Sequence, residues 1–146
     1  MVTEAQFKLL QEEGWQYSSE KIDEFVGIVK NNLDKGNKVL VGAFNAITSL
    51  TIGEIMDDTE RFEKFHLDLE NQQKHYEKIF NKYYDIVEMY DYMDRPDNVT
   101  ELDRVNQEID SVQNDLYRLT NSLEEIIDNV KKLKEVIPHN ETSRDN

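Results

Sequence analysis

The sequence predicts an all-α fold: a helical bundle of about four to five helices dominated by a long antiparallel coiled-coil hairpin. Three observations carry this. Leu102, Val105, Ile109, Val112, Leu116, Leu119, Leu123, Ile126, Val130, Leu133 and Ile137 alternate spacings of three and four, the pattern of a helix with one narrow apolar seam. Upstream, Phe62, Phe65, Leu69, Gln72, Tyr76, Ile79, Tyr83, Ile86, Tyr90 and Met93 repeat it. Only a short turn containing Pro96 separates the stripes, and short connections favour antiparallel neighbours.

The elements follow in order. Thr3 with Gln6 forms a capping box, opening a short helix with Phe7 and Leu10 that Gly14 stops. Trp15 and Tyr17 lie in a connector. Ser18 or Ser19 caps the next helix, which carries Ile22, Phe25, Val26, Val29 and Leu33 at helical spacing and ends at Gly36-Asn37. Lys38 to Met56 reads as another helix, apolar on most sides through Leu40, Phe44, Ile47 and Leu50. Along it Gly42, Ala46, Ser49 and Gly53 fall at spacings of four, three and four, which would make a smooth groove. Each glycine costs about 1 kcal/mol of helix propensity. Close approach of another backbone would offset that, either in the core or from a docked partner helix.

Asp57, Asp58 and Glu60 favour the positive end of a helix dipole, so a helix begins near Thr59 and runs to about Met93. The turn spans 94–99. Thr100 with Asp103 resembles a cap for the last helix, Lys131, Lys132 and Lys134 suit its final turns, and Pro138 closes it. The expected organisation is short helices over 1–57 packing on a hairpin over 58–137, with 138–146 a disordered tail. Within the hairpin, Met93 pairs with Leu102, and each outward step lands on a seam position as far as Phe62 with Leu133. Gln72 is the one polar interruption, a device that can select register. A second stripe, Phe80, Tyr84 and Val87, predicts that the N-terminal helices pack on the earlier hairpin helix. Strict heptads also pair between chains, so a homo-oligomer is possible.

The 31 acidic and 17 basic side chains give a net charge of −14 over 146 residues. Such a surface repels nucleic acid phosphates and anionic lipid, while permitting a basic or helical protein partner. With no cysteine, disulfides and thiolate chemistry are excluded. The longest uncharged stretch, Val39–Gly53, is too short and polar to span a membrane. No signal peptide is visible, so a soluble intracellular protein is expected.

Catalytic motifs are missing. His66 and Glu70 share a helix face and would supply two metal ligands, but the pattern offers no third. Asp91, Asp94, Asp97, Asn98 and Glu101 cluster at the turn without the spacing or central glycine of a calcium loop. No catalytic residue, cofactor or metal is therefore expected. Partner contacts are assigned instead to Trp15, Tyr84, Met89 and Tyr92, together with Gly42, Ala46, Ser49 and Gly53. The leading expectation is a non-enzymatic interaction or adaptor protein bound through helix packing. One alternative is an acidic inhibitor that presents Asp103, Asp110 and Glu124, with Asp85, Glu88 and Asp91, where a nucleic-acid-handling enzyme expects phosphates. A second is a small secreted helical hairpin, although Gly14-Trp15 lies outside the position its turn would require.

Overall fold

In the computed structural model, the described residues are 3–6, 8, 17–91 and 95–145, with side chains described to Val136. All regular structure among them is helical, and the elements from residue 19 onward are α1 (Ser19–Thr48), α2 (Ile52–Asp57), α3 (Thr59–Glu88) and α4 (Asp97–Asp145). Local chemistry sets the starts. The Lys21 N–H donates to Ser18 Oγ (3.1 Å), Glu54 N–H to Thr51 Oγ1 (3.2 Å) and Arg61 N–H to Asp58 Oδ1 (3.2 Å), each satisfying a helix-end donor. The capping box forms in both directions, with Thr3 N–H on Gln6 Oε1 (2.9 Å) and Gln6 N–H on Thr3 Oγ1 (3.2 Å).

The long helices form an up-down-up bundle. α3 runs antiparallel to α4, with Glu63 beside Lys131 (2.9 Å) and Thr59 beside Lys134 at the far end. α1 runs parallel to α4. Asn98 Nδ2 donates to the Ser19 carbonyl (3.0 Å) near both N-termini, Lys30 pairs with Glu101 (3.3 Å), and Leu40 lies beside Asp115 and Leu119 further along. α4 is thus the central helix. Its buried residues include Val99, Leu102, Val105, Asn106, Ile109, Val112, Leu116, Thr120, Leu123, Ile127 and Val130, a stripe wide enough to face two neighbours. Burial of Val29, Ile55, Leu102, Ile109 and Leu116 is essentially complete, worth about 1.5–3 kcal/mol each before entropy is subtracted.

Several expectations change. Gly36 does not end a helix but lies buried within α1. A Cβ built there would stand 3.0 Å from Val112 Cγ1 and 3.2 Å from two ring carbons of Tyr76. At this glycine α1, α3 and α4 approach closely, so packing offsets its poor propensity. The segment 38–56 is not one helix either: α1 stops at Thr48, and Thr51 caps the separate α2. α1 packs mainly on α4 rather than on α3. α4 is therefore no narrow seam, and the sequence hides this because Asn106 and Thr120 interrupt its second stripe. Both are hydrogen-bonded: Asn106 Nδ2 donates across to the Phe80 carbonyl of α3 (2.9 Å) and Thr120 Oγ1 to the Leu116 carbonyl of its own helix (2.7 Å).

In α3 the buried polar residue is Gln73, whose amide donates to Glu77 (3.3 Å), while Gln72 is exposed. A straight helix drifts from a strict heptad, which moves the stripe by one position there. α3 also ends at Glu88 instead of Met93. Tyr90 and Asp91 N–H groups bond the Val87 and Glu88 carbonyls (3.0 and 3.1 Å), the tighter i to i−3 pattern of a finishing turn. α4 begins at Asp97 rather than at Thr100, with the Pro96 carbonyl accepting from Val99 and Thr100 N–H. The predicted register consequently holds best at the far end, where Glu63 meets Lys131, and slips toward the turn, where Phe80 meets Asn106. At its other end α4 continues through Pro138 to Asp145; the proline's missing N–H leaves one preceding carbonyl without its helical donor.

Candidate interaction surface

α1 uses only one side of its C-terminal half. Ala43 is 3% exposed, and Leu40 and Ile47 pack partly against the core. The adjacent Val41 and Phe44 are 58% and 54% exposed. This follows from the topology, because α1 lies on α4 and touches α3 little, so its outer face has no covering helix among the described residues. Leu40, Val41 and Phe44 form one wall of an open groove of about 370 Å³, and Asp115, Arg118 and Leu119 of α4 form the other. The walls are apolar apart from the exposed Asp115–Arg118 pair, 3.6 Å apart. Lys35–Gly53 contains two lysines and no acid in a chain of net charge −14.

The residues expected to make a smooth groove are placed differently. Gly42 is exposed and a Cβ there would meet nothing within 4 Å; Ala46 is half-buried, Ser49 is the exposed cap residue after α1, and Gly53 lies on α2. They form no continuous line on one helix. Tyr84 and Met89 are half-buried on and just after α3. Tyr84 packs its ring 5.6 Å from Phe80, and its hydroxyl is pushed up by its hydrogen bond to Glu88. Met89 packs against the core near the turn, whereas Asp115 lies about 27 Å along α4 from that helix's start, at 1.5 Å per residue. Trp15 and Tyr92 lie outside the described residues. The structure thus brings Leu40, Val41 and Phe44 together with Leu119, a set that the small-residue spacing does not single out. Its sequence signal is the apolar, acid-free stretch itself.

A second groove, of about 380 Å³, runs between α3 and α4 and is polar. His66 Nε2 lies 3.8 Å from Glu124 Oε2, and the Glu63 carboxylate pushes the Lys131 ammonium up by accepting its hydrogen bond. Among the described residues no group of three or more His, Asp or Glu side chains is arranged to hold a metal ion. The carboxylates expected to mimic phosphates are partly occupied internally. Arg95 bridges Asp91 and Asp103, and Glu124 faces His66. No described helix is long and apolar enough to cross a membrane. Comparison with protein-family models, curated proteins and solved structures finds no match to this chain.

Proposed function

We propose that this chain is a non-enzymatic helical interaction protein, a subunit or adaptor of a larger assembly, and that it binds through the α1–α4 groove. The supporting observation is the exposure of Val41 and Phe44 beside Leu40 and Leu119, in a long stretch without an acid. Adjacent large apolar side chains left in water cost free energy that a partner's apolar face recovers. The acidic-inhibitor reading gains less support, because Asp91, Asp103 and Glu124 already face Arg95 or His66.

The test is Phe44→Glu, alone and with Val41→Glu. Phe44 is largely exposed, so circular dichroism should show an unchanged helical fold. In quantitative affinity purification from the native source, partners recovered with the wild type should be lost with the variant. A folded variant that retains every partner would overturn the reading.

A further inference from the structure

Resting on that reading of the groove, we propose that its occupant is a second copy of this chain, related by a two-fold axis crossing the outer face of α4 at the level of Leu116 and Tyr117. Charge complementarity along α4 singles out this occupant. Ser111, Asp115, Arg118 and Ser122 follow one another at spacings of four, three and four, so they share one face of α4. About a centre between 116 and 117 the stripe is self-complementary. An antiparallel crossing sets Asp115 against Arg118 of the second copy, and Arg118 against Asp115 of the second copy. It also sets Ser111 against Ser122, two small residues that allow the helices to approach. A two-fold contact requires this property, since the same patch must complement itself.

The rest of the surface agrees. Within one chain Asp115 and Arg118 are 50% and 79% exposed at 3.6 Å, a pair of little worth that is readily exchanged for one across an interface. Val41, Phe44, Leu40 and Leu119 flank the stripe, so association covers the apolar walls of both grooves. On the α1 side of this face there is no acid between Lys35 and Gly53. Salt screens the general repulsion between two chains of charge −14 over about 8 Å at physiological ionic strength. One feature opposes association: Glu108 and Glu125 extend the stripe at both ends and fall opposite each other.

Sedimentation velocity of the full chain across a concentration series tests this. The wild type should pass from monomer to dimer. Asp115→Arg and Arg118→Asp should each weaken self-association about tenfold or more by opposing like charges, and the double variant should recover most of the loss. Glu125→Lys, opposite Glu108, should tighten it. Circular dichroism confirms that each variant is folded. A wild type that stays monomeric throughout, or a double variant no better than the singles, overturns the proposal. If the chain is monomeric but Phe44→Glu still loses native partners, only the identity of the occupant is wrong. If neither effect appears, the groove reading fails with it.

Discussion

Gly36→Ala probes the junction of the three long helices. The added methyl would stand 3.0 Å from Val112 Cγ1 and 3.2 Å from Cε1 and Cζ of Tyr76, where ordinary contacts are 3.4–4 Å. Val112 and Tyr76 are 4% and 3% exposed, so neither side chain has free space to move into. Overpacking of this kind costs about 1–3 kcal/mol. Alanine returns about 1 kcal/mol of helix propensity, leaving a net loss of roughly 0–2 kcal/mol. Gly42→Ala is the internal control. It lies in the same helix with nothing within 4 Å, so it should keep the whole gain of about 1 kcal/mol. The two variants should therefore differ by about 1–3 kcal/mol in urea unfolding followed by circular dichroism, with similar denaturant slopes. Equal stabilisation by both would refute the convergence of α1, α3 and α4 at Gly36.

Two further predictions address the polar contacts. Asn106 is 1% exposed and its Oδ1 has no hydrogen-bond partner among the described residues; Asn106→Leu removes that orphan acceptor and should stabilise the fold by about 1 kcal/mol. A loss of similar size in urea unfolding would mean that its bond to the Phe80 carbonyl outweighs the orphan. Glu101 is held down to about 2, from an ordinary 4.5, first by its hydrogen bond to Arg104 and then by Lys30. A depressed carboxylate stabilises the fold above its ordinary value and loses that contribution as pH falls through the folded one. The stability gap between wild type and Glu101→Gln should thus be steady above pH 4.5 and shrink toward pH 2, as read by thermal melts across pH. A gap that is independent of pH over that window would contradict the Glu101 link.

The fold class is legible in the sequence because Leu102, Val105, Ile109, Val112 and Leu116 repeat a helical period that Phe62, Leu69, Tyr76 and Tyr83 answer. The helix starts at Ser18 and the Thr3–Gln6 box are legible too, since both act through their immediate neighbours. The features that escape it depend on distant packing. Gly36 looks like a helix stop unless one knows that Tyr76 and Val112 converge on it. Asn106 and Thr120 look like surface residues until their burial and the Asn106 bond to Phe80 are seen, and with them goes the evidence that α4 faces two helices. The interaction surface is half legible. Lys35–Gly53 stands out as the acid-free segment, but which of its residues face water depends on where α1 docks. The four-three-four spacing points to the small residues, whereas Val41 and Phe44 are the large apolar side chains left exposed.

The chain contains no cysteine, so single cysteines report cleanly on which face of α1 is open. The most direct measurement compares thiol-labelling rates of Ala43→Cys and Phe44→Cys in the folded protein. Residue 43 is 3% exposed and residue 44 is 54% exposed. In protein dilute enough to be monomeric, labelling at 44 should run near the rate of an unfolded peptide, while labelling at 43 should wait for local opening and be slower by about a hundredfold or more. Slow labelling at 44 with fast labelling at 43 would mean that α1 is rotated to bury Phe44, and no apolar groove would remain to receive a partner.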